Sequence, residues 1–268
     1  MTTAPADTAL ARGYEALAVG KWSESRAAFE EAVDTVESPE ALDGLGRSLW
    51  WLRESREAIV CRERAYSGFR RDGQLGRAAR IALWLSREYA VVFGNDAAAR
   101  GWLARAERLL RDVAPGAEQG WLDLARSEGS REPSEAAMYA EASLNSALAV
   151  GDSDLELRAL AQLGYAVVSS GEVDEGLAQL DEAMAAATGG EPATLETFAD
   201  VCCTLMLACE SAGDSNARNS GAQFSRTSSG STTTWSSSPS AERVARMCSP
   251  PTAAWMPPRR SSWRRSRS

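Results

Sequence analysis

Residues 9–33 read ALARGYEALAVGKWSESRAAFEEAV, two helical stretches broken at Gly20. Glycine leads to alanine twelve residues on, Gly20 to Ala32, with the large apolar Phe29 nine residues after the glycine. The same spacing returns at Gly94, Leu103 and Ala106, and again at Gly171, Leu180 and Ala183. Gly213-Asp214 opens it once more, but Ala222 and Ser225 stand where a large apolar residue and an alanine are due.

Working outward, helical periodicity dominates residues 7–212 and nothing reads as a strand. The segments are rich in Ala, Leu, Glu and Arg, residues of high helix propensity. Breaks fall at Gly20, Ser38-Pro39, Arg71-Asp72-Gly73, Gly94-Asn95-Asp96, Pro115-Gly116, Glu132-Pro133, Gly151-Asp152, Gly171 and Gly189-Gly190. Ser38 and Asp152 have N-cap chemistry, and Pro39 suits a first helical turn. Gly13, Gly46 and Gly164 each lie seven residues before a turn, where a missing side chain lets a second helix approach. Ala32, Ala65, Ala106, Ala147 and Ala183 hold an equivalent place in the second helices, at intervals of 33, 41, 41 and 36 residues. Small residues there permit tight crossing. Trp22, Phe29, Leu45, Leu49, Leu163 and Leu180 fill the space around them, and Ala58 keeps the pattern in the second unit with Leu45, Gly46 and Ala65.

This pattern resembles the tetratricopeptide repeat, a helix-turn-helix unit of about 34 residues. Residues 9–36, 39–69 and 157–187 match best, although Ser55 replaces the turn aromatic in the second. Units at about 76–112 and 117–150 are longer and degenerate, with Trp121-x2-Leu124 in the first helix of the fourth. The resemblance implies an all-α fold of antiparallel helix pairs stacked into a right-handed solenoid. The expected organisation is a disordered stretch at 1–6, a repeat domain over 7–214 and a disordered Ser/Arg/Pro-rich tail over 215–268. The alternative is a non-repeating helical bundle.

A narrower likeness rests on ARGYEALAVGKWSESRAAFEEAV (11–33), LGYAVVSSGEVDEGLAQLDEAMAAATGGE (163–191) and CCTLMLACESAGD (202–214). These look like the N-terminal repeats of large actinobacterial LuxR-type transcriptional regulators. That resemblance implies a protein-interaction or effector-sensing module with a protein or peptide partner. Such regulators read DNA through a C-terminal helix-turn-helix. No L-T-x-R-E opening or S-x-x-T-V recognition helix occurs here, so DNA binding does not carry over.

Charge and composition prune the chemistry. The net charge of −8 divides unevenly. Residues 215–268 carry nine arginines against Glu242, about +8, leaving about −16 in 1–214. There is no histidine, which removes imidazole-based nucleophile activation and most zinc sites. Lys21, the single lysine, sits in no phosphate-loop context. The five cysteines, Cys61, Cys202, Cys203, Cys209 and Cys248, lack paired spacing and suit free thiols in a reducing compartment. No apolar run is long enough to span a membrane, and residues 1–9 do not read as a signal peptide, so a cytoplasmic location is expected. No paired carboxylates or activated nucleophile stand out. A non-enzymatic module without cofactor or metal is expected.

Three further groups read as packing or solvated faces. Cys202, Leu205, Met206 and Cys209 recur at helical spacing with Phe198 and Val201, as a buried stripe would. Trp50-Trp51 reads as packing, with Trp50 beside Leu49. Arg70-Arg71 and Arg108/Arg111 read as solvated helix ends. The first helices show no lysine- and asparagine-rich groove, which disfavours a carboxylate clamp for chaperone tails.

The tail is read as an off-frame translation. Its switch falls inside a repeat signature, it carries Trp235, Trp255 and Trp263, and its composition is what GC-rich DNA yields in a wrong frame. Back-translating from Ser215 with chosen synonymous codons and reading two bases on can spell ERAQQWCAVLEDVERF. Near the end the same shift can spell ADGRMDAAEAELVAAL, a further repeat turn and helix. A stand-alone repeat scaffold with a genuine basic tail is the alternative. In that case Arg259, Arg260, Arg264, Arg265 and Arg267 could meet nucleic acid. Either way the helix near 193–212 lacks its partner, with about six apolar side chains expected to be uncovered. Fraying or self-association through 193–212 is the expected result.

Overall fold

The computed structural model describes the backbone of residues 3–114 and 116–219, and the side chains of 6–114 and 116–213. Eleven α-helices and no strand occur among the described residues. They are α1 (Thr3–Ala18), α2 (Trp22–Thr35), α3 (Pro39–Trp51), α4 (Ser55–Arg71), α5 (Leu75–Val91), α6 (Asp96–Leu110), α7 (Ala117–Gly129), α8 (Pro133–Val150), α9 (Ser153–Ser170), α10 (Val173–Gly189) and α11 (Leu195–Asn219). Odd and even helices pack in consecutive pairs, as in a helical-repeat solenoid. The expected all-α architecture holds. One compact unit reaches Ala212; of the second, beginning at Gly213, only the end of α11 is described. Of the disordered tail expected over 215–268, residues 220–268, with the arginine run and Cys248, lie outside the described residues.

Local chemistry sets the helix ends. Ser38 Oγ accepts from the Ala41 amide at 3.2 Å and Asp152 Oδ1 from Leu155 at 3.0 Å, as N-caps do. Asn95 caps α6 in the same way, through Ala98. Gly20 (φ +76°) and Gly171 (φ +107°) turn the chain in the left-handed region. The corresponding turn of the second pair uses Arg53 at φ +69°, the one non-glycine in that region among the described residues. It stands twelve residues before Ala65, where the repeat pattern calls for glycine.

Most repeat-packing residues sit in the core, whereas the turn residues Gly94 and Gly171 are exposed and Gly20 and Trp22 are partly buried. Ala58, Ala65, Ala106, Ala147, Leu180 and Ala183 are wholly buried, with Ala32 nearly so, while Leu103 is half-buried against the central cluster. A methyl group at Gly13 would lie 2.7 Å from the Phe29 ring, and one at Gly44 would lie 2.3 Å from it. Phe29 is thus gripped by glycines of α1 and α3; the sequence reading named Gly13 and missed Gly44. Gly46 admits the Arg62 stem and the Ala58 carbonyl, and Gly164 admits Gly176 and Leu180 of α10. Gly94 (φ +59°) serves its turn and touches nothing within 4 Å. Trp22 stacks on Trp51 at 4.5 Å, while Trp50 meets Trp51 edge-on and donates to Glu88 Oε2 at 3.0 Å. Buried hydroxyls link helices: Ser25 Oγ donates to the Gly13 carbonyl and lies 2.7 Å from Ser48 Oγ.

Three expectations are corrected. The first helix starts at Thr3 rather than after residue 6, since Pro5 needs no amide partner in a first turn. Gly213-Asp214 does not end the last helix, which runs on to Asn219. Finally, α11 is not left uncovered. Thr197, Val201, Leu205, Ala208 and Ala212, spaced by three and four, are all at least 98% buried. Phe198, Met206 and Leu207 lie on the exposed side, and Cys202 and Cys209 at the margins. The buried stripe is therefore displaced from the one read around the cysteines.

Candidate functional site

The first helices carry charge at helical spacing on one face. On α5 the residues are Arg77, Arg80, Trp84 and Arg87; on α7 they are Glu118, Trp121, Ala125 and Glu128. Spacings of 3, 4 and 3 bring each set onto a single helix face. Asp43 and Arg47 of α3 and Asp154 and Arg158 of α9 follow the same rule. All of these line one cavity of about 400 Å³, completed by Thr194, Glu196 and Thr197 at the start of α11. Helices α3, α5, α7 and α9 therefore share an inner face, and the beginning of α11 lies across it.

That placement is held by ion pairs between distant parts of the chain. Arg47 donates to Glu196 through two nitrogens, at 3.0 and 3.2 Å. Arg87 grips Asp200 at 3.0 and 2.6 Å, and Arg158 reaches the same carboxylate at 3.3 Å. Asp154 Oδ1 accepts the backbone amides of Ala193 and Thr194. Leu195 meets Gly20 in the α1–α2 turn. Four repeats therefore contribute to seating one helix. Two-point guanidinium–carboxylate pairs fix orientation as well as distance.

Electrostatics follow from this geometry. Burial alone would raise the Asp200 pKa, but Arg158 and Arg87 outweigh it and hold the carboxyl below its ordinary value. Burial likewise pulls Arg47 down, and Glu196 more than restores it. Burial dominates at Glu88, whose carboxyl is pushed up despite Trp50, Arg87 and Arg62. Burial also lowers Arg80 to about 10.

The arginines differ in how well they are paired. Arg158 also meets Glu128 at 3.0 Å, and Arg77 meets Glu40 at 2.6 Å. Arg62 approaches Asp43 at 2.9 Å without an aligned hydrogen bond and lies over the Trp84 ring at 4.1 Å. Arg80 lies over Trp121, its guanidinium carbon 3.6 Å from the ring centroid. Its nearest carboxylate, Asp152, is 3.9 Å away. Asp152 already accepts Trp121 Nε1 at 2.9 Å and the Leu155 amide.

Of the residues singled out from sequence, Gly46 of α3 stands beside this face and Trp121 lines the cavity; the other repeat-packing positions hold the helices behind it. Among the described residues no group of three or more His, Cys, Asp or Glu could hold a metal ion. No described helix is long and apolar enough to cross a membrane. The arginine-lined face itself was missed. Its 3-4-3 spacing in α5 and α7 was visible, but period alone does not say which face turns inward.

No protein-family model matches the chain, and no curated protein matches it.

Proposed function

We propose that this chain is a non-enzymatic recognition module of tetratricopeptide type, part of the sensing region of a LuxR-type transcriptional regulator. The supporting observation is the inner face. Four first helices present charged and aromatic side chains to a common cavity, and the next helix, α11, is seated across it by Arg47, Arg87 and Arg158. A cavity of about 400 Å³ falls in the range of small-molecule sites. A ligand that changes how α11 sits transmits its presence to whatever follows α11. In the parent regulator that would be the DNA-reading part, encoded beyond a frameshift near codon 215. The outer side of α11, where Phe198, Met206 and Leu207 are exposed, is the surface for self-association.

Sequencing the coding DNA across codon 215 and reading its other frames tests this. Resumed helical-repeat text followed by a helix-turn-helix is the expected result. Stop codons or non-helical text in those frames contradict the assignment.

A further inference from the structure

The cavity contains two ionic groups that the fold leaves without a close partner. Arg80 of α5 makes no hydrogen bond among the described residues, and the nearest carboxylate, at 3.9 Å, is engaged elsewhere. Its side chain is 41% exposed, and that exposure opens into the cavity it lines. Its guanidinium carbon sits 3.6 Å from the Trp121 ring centroid, a contact that holds the group over the ring while its N–H groups make no hydrogen bond among the described residues. Glu118 of α7 also lines the cavity, is half-buried, and makes no ion pair among the described residues. It packs over Gly76, where a side chain would meet its carboxylate at 3.1 Å.

The other lining charges are committed. Arg47, Arg77, Arg87 and Arg158 hold Glu196, Glu40, Asp200 and Glu128, Arg62 faces Asp43, and Asp154 caps the approach to α11. Six arginines and five carboxylates line the cavity, and Glu40 and Asp200 just outside the lining neutralise Arg77 and Arg87, so a purely anionic ligand on Arg80 would meet repulsion from Glu118. A cation alone would meet Arg80. A ligand carrying both charges satisfies both groups. Ile81, Leu83, Trp84 and Leu124 supply apolar lining for the rest of such a molecule.

We propose that the cavity binds a small zwitterion of the α-amino-acid class, its carboxylate on Arg80 and its ammonium on Glu118. This rests on the inner face being the recognition surface. The ligand sits under Thr194 and Thr197, so occupancy is read by the start of α11.

The test is calorimetric titration of the full chain with the twenty free amino acids, each positive repeated as its N-acetyl and carboxamide derivatives. At least one free amino acid is expected to bind saturably, with both derivatives weakened at least tenfold. Arg80→Met keeps the apolar stem on Trp121 and is expected to abolish binding; Glu118→Gln is expected to weaken it at least tenfold. Unchanged helical circular dichroism in Glu118→Gln keeps the result interpretable if Arg80→Met does not fold. Absence of binding by any free amino acid overturns the proposal. So does equal binding of the N-acetyl form, which means an anion site, or of the carboxamide, which means a cation site. These failures leave the regulator reading to the coding DNA, which tests it separately.

Discussion

Arg87 and Asp200 lie 113 residues apart in the chain and meet through two hydrogen bonds, at 3.0 and 2.6 Å. The pair joins the third repeat to the helix after the fifth. Asp200→Asn leaves Arg87 and Arg158 facing each other with one fewer negative charge in a half-buried site. Removing one partner of a fully buried pair costs about 3–5 kcal/mol. Arg87 is 34% exposed, so a smaller loss of about 1–2 kcal/mol is expected here. Urea unfolding followed by tryptophan fluorescence measures it, and an unchanged midpoint would show that the pair does not seat α11.

The same carboxylate sets a pH dependence. Its native pKa is depressed by Arg158 and Arg87 against the opposing effect of burial. An acid whose pKa is lowered by folding stabilises the native state above its unfolded value, about 3.9 for aspartate, and loses that contribution as pH falls through the native value. Glu88, with its pKa raised by burial, contributes in the opposite direction. The Asp200 contribution to docking of α11 is therefore expected to be intact at neutral pH and to be lost below about 4. Near-ultraviolet circular dichroism across this range reports it; loss beginning near neutrality would assign the transition to another group.

Gly44→Ala is expected to destabilise the protein more than a surface substitution could. The added carbon would lie 2.3 Å from the buried Phe29 ring, which Gly13 also abuts. Overpacking of this kind costs about 1–3 kcal/mol. Gly129→Ala, where nothing lies within 4 Å, is the matched control. Thermal unfolding of the two variants is expected to separate them clearly.

Arg53→Gly is expected to stabilise. The left-handed conformation costs a non-glycine residue about 1–2 kcal/mol, and glycine returns about 0.5–1 kcal/mol of that as unfolded-chain entropy. A net gain of about 0.5–1 kcal/mol follows. A lowered midpoint in denaturant would mean that the Arg53 side chain contributes more than its backbone costs.

Most of the fold was legible because its determinants are local. Gly20 to Ala32 and Gly171 to Ala183 mark turn and crossing point within a single pair, and Ser38 and Asp152 cap helices through neighbours three residues away. Gly44 was missed because nothing local tells which glycine faces Phe29. Arg53 was missed as a turn residue because arginine rarely adopts that conformation. The inner face was half legible. Arg77, Arg80, Trp84 and Arg87 share a visible period, but a solvated face has the same period. That α11 is covered was not readable at all, since Glu196 meets Arg47 across 149 residues and no periodicity connects them.

The seating of α11 across the inner face is the central claim, and amide hydrogen exchange on the monomeric full chain tests it most directly. The amides of residues 197–212 are expected to be protected to a degree comparable with α9, and less so in Asp200→Asn. Exchange of 197–212 at unstructured rates in the unmodified chain, with α9 protected, would contradict it.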